Sequence, residues 1–275
     1  MNNNVNNDFS LKGKVIIVTG GTGILGYAFI KALSNAGAIV GVMGRNEAKA
    51  KERVKEINDA GREAIALIAD VLIEEQLTGC RKQVLDKFGR IDGLVNAAGG
   101  NMPEAVLQPE ADIFSINIDG MKKAMDVNLW GTVLPTLIFG KSIAENGGGA
   151  IVNISSVSAE RTLTKVLGYS MGKAAVESFT KWFAVEMANR YGDKIRMNAI
   201  VPGFFITEQN KLLLTDGNGG LTQRGESVIK QTPFKRFGEP TELGGALVWL
   251  MSDDATFVTG TTIKVDGGFS AFSGV

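Results

Sequence analysis

Tyr169 and Lys173 stand one helical turn apart in Tyr169-Ser170-Met171-Gly172-Lys173, a spacing that puts both on one face of a helix. A phenol ordinarily gives up its proton near pH ~10, and an ammonium beside it stabilises the phenolate. Such a pair can pass a proton to or from a substrate oxygen nearer neutrality. The spacing alone is common on helix surfaces, so its neighbours decide its meaning. The apolar run Ile151-Val152-Asn153-Ile154 delivers Ser155 and Ser156, and Ser156 lies thirteen residues before Tyr169. A hydroxyl there can hold the oxygen that the phenol protonates.

A second chemical feature is the turn Thr19-Gly20-Gly21-Thr22-Gly23-Ile24-Leu25-Gly26, which follows an apolar run and opens an amphipathic one. Gly21, Gly23 and Gly26 satisfy G-x-G-x-x-G, where glycines let the backbone approach a pyrophosphate at a helix N-terminus. The sequence after the next apolar run, Met43-Gly44-Arg45-Asn46, has no carboxylate for ribose hydroxyls. Arg45 could receive a 2′-phosphate, which favours NADP(H) over NAD(H), or it is a solvated surface charge. Asp70 and Val71 end a third run, and Asn96-Ala97-Ala98-Gly99 ends a fourth. Asp70 can accept from an adenine amino group or cap the helix that follows.

The elements that position these residues alternate. Short β-branched runs at 15–19, 39–44, 64–69, 93–96, 150–154, 196–201 and 262–265 read as strands. Helical patterns fill 26–36, 46–60, 74–88, 121–145, 169–191 and 239–251. The sequence therefore predicts an α/β, Rossmann-type doubly wound parallel sheet of about seven strands, helices on both faces, in a single domain over 11–275 after a flexible tail at 1–10. Residues 99–120 and 204–237 break the alternation, and the second is expected to be a substrate lid.

Composition excludes other chemistries. The chain has no histidine, which removes Ser-His-Asp hydrolysis, Cys-His catalysis and His-ligated zinc. Its single cysteine, Cys80, cannot form an internal disulfide and is expected to pack a helix. Equal numbers of basic and acidic residues, 29 each, leave no footprint for nucleic acid or an anionic membrane. Neither a secretory leader nor a run of the ~20 apolar residues a membrane helix needs is present, so a cytoplasmic location is expected.

These motifs, in this order, resemble the short-chain dehydrogenase/reductase family over residues 11–269: the glycine turn, Asp70-Val71, Asn96-Ala97-Ala98-Gly99, Asn128, Ser156, Tyr169 with Lys173, and Pro202-Gly203 followed by Thr207. The resemblance implies that Tyr169 transfers the proton, Ser156 binds the reacting oxygen, Lys173 holds the nicotinamide ribose and favours the phenolate, and Asn128 positions a water in a proton relay. It also implies cofactor contacts from Gly20, Gly21, Thr22, Gly23, Ile24, Leu25, Arg45, Asn46, Asp70, Val71, Asn96, Ala97, Ala98 and Gly99, from Tyr169 and Lys173 themselves, and from Pro202, Gly203, Phe205 and Thr207. Two departures stand out. Ile24 occupies a position where the family usually has glycine, and Ala97 one where asparagine is common.

The lid 204–237 is rich in amides and cations, which suits a hydroxylated anion such as a sugar acid better than an acyl chain or a steroid. Asn101, Arg161, Lys165, Gln209, Lys211 and Arg224 are the candidate substrate contacts, Arg224 foremost because it lies in the most polar block. The wording of the lid resembles the D-mannonate oxidoreductase (D-fructuronate reductase) branch of the family. Another sugar-acid or polyol dehydrogenase, such as a gluconate 5-dehydrogenase, is the next reading, with 3-oxoacyl reduction behind it. A regulatory protein that kept the fold would be expected to have lost Ser156, Tyr169 or Lys173. The family resemblance further implies a homotetramer or homodimer built on the helices at 121–145 and 169–191.

Overall fold

The computed structural model describes residues 9–207, 210–216 and 219–275. Most of the expected tail, residues 1–8, lies outside them, and Phe9 and Ser10 are exposed. The strands are β1 (Val15–Thr19), β2 (Ile39–Gly44), β3 (Ala64–Ile68), β4 (Gly93–Asn96), β5 (Gly149–Ile154), β6 (Ile195–Pro202) and β7 (Thr262–Val265). They form one parallel sheet of seven strands in the order β3-β2-β1-β4-β5-β6-β7. Strand order reverses between β1 and β4, and the crevice beyond the carboxyl ends at that point is where such sheets bind ligands.

The strands are apolar on both faces because helices cover both. Ile16 and Val18 of β1 pack with Phe29, Ile30 and Leu33 of α1 (Ile24–Asn35) and with Leu247 and Leu250 of a helix near the C-terminus. Val15 and Ile17 face Leu77 and Val84 of α3 (Glu74–Phe88) in the opposite layer, where Phe139 and Ile143 also lie. Between those helices α2 (Glu47–Asp59) adds Ala50 and Ile57 to the first layer. Cys80 packs in the second, its thiol pushed up to about 11 by burial, so it is inert at neutral pH.

The helix expected at 121–145 is interrupted. α4 (Ile118–Met125) runs into a π-helical turn, Asp126–Trp130, before α5 (Gly131–Glu145) begins. α6 (Leu167–Tyr191) starts two residues before Tyr169. Within the expected lid are two helices, α7 (Lys211–Leu214) and α8 (Gln223–Gln231), the latter capped by the Thr222 hydroxyl accepting from the Gly225 amide at 3.1 Å. The last expected helix opens as a 3₁₀ turn over Pro240–Leu243 and becomes α9 (Gly244–Met251). Among the described residues no helix is long and apolar enough to cross a membrane, and no cluster of potential metal ligands occurs.

Candidate active site

The turn after β1 is built around close backbone approach. Gly20 adopts φ +67°, and a Cβ there would sit 2.7 Å from the Ala97 carbonyl oxygen. At Gly26 a Cβ would lie 2.0 Å from the Gly20 carbonyl oxygen, so the α1 axis can approach the turn only with glycine at that place. Gly23 is the N-cap of α1, has no side-chain cap bond, and no acid occupies the first turn. The positive end of α1 is thus left for an anion, and this cradle fits a dinucleotide pyrophosphate. Ile24, where the family usually has glycine, is simply the first residue of the helix and is exposed.

Around the rest of the dinucleotide path the expected residues divide. Arg45 is exposed and reaches Asp70 across 3.6 Å. Asp70 does not cap α3; its Oδ1 accepts from the Leu72 amide at 3.0 Å, which leaves Oδ2 facing Arg45. Asn46 caps α2 through the Lys49 amide, and Val71 packs where a Cβ on Gly131 would come within 2.9 Å of it. The Asn96 side chain is buried beneath the sheet end, donating to Thr136 Oγ1 at 2.8 Å and Asn153 Oδ1 at 2.9 Å, so it is turned to the helices behind the sheet. Ala97 and Gly99 do line it, held there because Thr19 Oγ1 accepts from the Ala97 and Ala98 amides.

At the carboxyl end of β5 the backbone turns and presents Ser156 beside the Tyr169 phenol, both on the wall of one cavity. Lys173 is buried and donates from Nζ to the Ile154 carbonyl at 2.7 Å, with Nζ 5.7 Å from the Tyr169 ring centre. Burial raises the pKa of the phenol above its ordinary value, and the bond with Ser156 opposes that rise. In this structure the Lys173 ammonium is turned to the Ile154 carbonyl. Tyr169 therefore carries its proton at neutral pH, as a donor in carbonyl reduction must.

Burial also brings Lys173 from 10.5 down to about 8. That fall corresponds to roughly 3 kcal/mol between the two charge states. The sign follows from proton counting. Below pH 8 the lysine is charged in both folded and unfolded chains and burial is a cost; between 8 and 10.5 the unfolded chain binds the proton that the folded one has released, so folding strengthens as pH rises. Lys173→Met should remove this dependence. Its stability relative to the parent, by chemical denaturation, should be most favourable at pH 7 and lose that advantage towards pH 10.5, and an offset independent of pH would contradict the assignment.

Asn128 occupies the π turn, a geometry found mostly at functional sites. Its Nδ2 donates to the Gly100 and Ala124 carbonyls, both at 2.7 Å, and its Oδ1 accepts from the Gly100 amide at 3.0 Å. The side chain thus grips the loop after β4, and a Cβ on Gly99 would come within 2.6 Å of Oδ1 and 3.3 Å of Lys173 Nζ.

Ser156, Tyr169, Lys173 and the loop at Gly99 and Gly100 that Asn128 grips line a cavity of about 200 Å³ with Asn101, Ser155, Pro202, Gly203, Phe205, Thr207, Asn210, Leu213 and Arg224. That is smaller than the ~300–1,000 Å³ usual for drug-sized ligands, and it points to a compact substrate. Of the expected substrate contacts, Asn101 and Arg224 lie on the cavity, and Asn101 Oδ1 is buried without a partner. Arg161 and Lys165 face an adjoining cavity instead, where Arg161 donates to the Ser270 and Phe272 carbonyls. Lys211 points to solvent from α7, whose inner side offers leucines, and Gln209 lies outside the described residues. Asn210 was not foreseen: it bonds the Thr207 amide and the Phe205 carbonyl, fixing the start of the lid. Inside an irregular polar segment nothing singled it out.

The family model described as enoyl-(acyl carrier protein) reductase matches residues 21–270. The uncharacterized oxidoreductase UxuB of Bacillus subtilis (strain 168) is 40% identical, over 97% of this chain and 98% of its own. Among solved structures, a Haemophilus influenza protein named for D-mannonate oxidoreductase, with bound NAD, is 39% identical with a TM-score of 0.89, covering 97% of this chain and 98% of that one. A gluconate 5-dehydrogenase from Burkholderia cenocepacia J2315, in complex with NADP and tartrate, is 31% identical with a TM-score of 0.85, over 96% and 98% of the two chains.

Proposed function

The chain belongs to the short-chain dehydrogenase/reductase family of oxidoreductases, and on that premise we propose that it interconverts a ketone and a secondary alcohol on a sugar acid, with D-fructuronate and D-mannonate as the pair. The observation that carries the substrate class is Arg224. Arg224 lines the cavity wall, its guanidinium partly desolvated, and among the described residues it donates to Thr164 Oγ1 and O and pairs with no carboxylate. A substrate carboxylate would supply the missing partner. Asn101, with its buried unpartnered oxygen, would take a sugar hydroxyl.

When bound, the nicotinamide supplies or takes the hydride. Ser156 holds the substrate oxygen, and Tyr169 delivers the proton to it in reduction and removes it in oxidation. Lys173 stands beside the phenol on the side of Gly99, placed for the ribose, while Asn128 fixes the loop they share. Pro202, Gly203, Phe205 and Thr207 close over the nicotinamide as the floor of a lid at 204–237. For the other end of the dinucleotide we favour NADP(H): Arg45 is exposed and loosely held by Asp70, so a 2′-phosphate can compete for it.

Turnover of fructuronate by the purified protein, run with NADPH and NADH, tests the reading. Arg224→Ala should raise KM for the sugar acid by roughly 10–100-fold, the worth of a lost charge-assisted bond, and change that for a neutral polyol little. Good turnover of acyl thioesters with none of any sugar acid would sink it. The solved gluconate 5-dehydrogenase holds tartrate, a small hydroxy acid, and gluconate is for that reason the second substrate to assay. Quaternary structure is part of the same reading: Trp130, Leu137, Trp182 and Val185 are exposed apolar side chains on or beside α5 and α6, which supports a homotetramer or homodimer, and light scattering reads it directly.

A further inference from the structure

One buried carboxyl near the site has no part in the scheme above. Glu177 lies on α6 one turn beyond Lys173 and two beyond Tyr169, is 5% exposed, and accepts from the Ser155 hydroxyl at 2.7 Å. Ser155 follows Ile154, the residue whose carbonyl takes the Lys173 proton. Two positions one turn apart on α6 thus grip two consecutive residues where β5 ends. One bond between a helix and a strand end leaves a pivot. Two fix the helix both along its axis and about it.

We infer that Glu177 is a positioning residue for catalysis: through Ser155 it holds the end of β5 against α6 and so sets the distance between Ser156 and the Tyr169 hydroxyl. The second grip matters most when the Lys173 ammonium turns towards a bound ribose: the Glu177–Ser155 bond then holds the strand end itself, while Asn153 Nδ2, donating to Thr180 Oγ1 at 2.9 Å, ties the strand to α6 further along. Ser155 is also held from its other side, its amide donating to the Ile200 carbonyl of β6 at 2.8 Å. Around Glu177 the charged neighbours are Glu160 from the catalytic loop, Lys181 from α6 and Lys264 from β7, and Lys264 is already paired with Glu160 at 2.5 Å. Burial holds the carboxyl above the usual range, against the bond from Ser155. The acceptor that Ser155 needs is an oxygen, which a glutamine offers equally.

The inference rests on the oxidoreductase reading, so its test includes a measurement that needs no substrate. Chain-wide there are three tyrosines, and an ultraviolet titration taken against Tyr169→Phe isolates the one in the site. In Glu177→Leu the Tyr169 midpoint should move upward as its bond to Ser156 loosens, and kcat should fall by about 10–100-fold, in line with the cost of a misplacement on the order of 1 Å, with KM for the cofactor little changed. Glu177→Gln should restore both. Ser155→Ala, a smaller change, should reproduce the effect, and the double variant should be no worse than either single one. A Glu177→Leu protein with the parent's kcat and titration, or losses in the two single variants that multiply, overturns the inference. If the parent turns over no sugar acid but the titration shifts as stated, the substrate reading fails and the positioning role stands.

Discussion

Replacing Tyr169 by Phe is expected to lower kcat roughly 10³-fold, the middle of the range for losing a general acid, and to leave cofactor affinity nearly unchanged. Phenylalanine keeps the ring beside which Lys173 lies and keeps the cavity wall, so the change removes the hydroxyl bonded to Ser156 and little else. With no histidine in the chain, no side chain of that kind can take over the proton. Lys173, buried beside the phenol and brought down to about 8, has its proton directed at Ile154. Steady-state kinetics with saturating cofactor measure the loss. A kcat within about ten-fold of the parent would move the proton donor elsewhere.

Gly26→Ala should be the most damaging small substitution outside the catalytic residues. Its methyl group would lie 2.0 Å from the Gly20 carbonyl oxygen and 2.9 Å from Gly21 Cα, where carbon and oxygen normally stay beyond ~3.3 Å. To make room, α1 must withdraw by about 1 Å, and its N-terminus is the anion cradle. Dinucleotide affinity should fall by about 100-fold or more and the melting temperature by roughly 5–10 °C, from a cost near the top of the overpacking range. Gly79→Ala is the matched control: nothing lies within 4 Å of its added carbon, and alanine is the better helix former, so stability should rise slightly. Equal behaviour of the two variants in cofactor titrations and thermal melts would contradict the packing argument.

The sheet was legible because its strands are covered on both faces and so are apolar end to end; the expected runs at 64–69 and 150–154 missed the observed limits by a residue at one end, and 196–201 by a residue at each end. The interrupted helix was not legible. Nothing in the pattern of 121–145 reports a π turn, since its cause is tertiary: Asn128 holds Gly100, a contact made across the fold. α8 carried a local signal, Thr222 ahead of an amphipathic stretch, which the view of 204–237 as one polar lid obscured. In the site, the structure brings Tyr169, Ser156 and Lys173 together as their spacing implied, because helix and strand geometry fix what spacing means. The direction of the Asn96 side chain was not legible, because a strand's last residue can face the crevice or the helices behind it, and its partners Thr136 and Asn153 decide which. Glu177 left a signal that went unused: it is an acid one turn beyond Lys173 on the helix that carries Tyr169.

The π turn has a consequence for how α5 is phased. An α-helix rotates ~100° per residue, and the wider turn at Asp126–Trp130 takes up one residue more than an α turn would, so rewinding the same residues as regular helix would swing all of α5 by about that angle relative to α4. Gly131 would leave Val71, Thr132 would lose the Asn128 carbonyl, and Thr136 would swing away from Asn96. Leu137, on the outer side of this helix, is exposed and belongs to the surface proposed above for a second subunit, so the same swing would carry it away from that face. The segment behaves as a phase-setting gear, in which one wide turn decides which side of α5 meets the sheet and which looks outward.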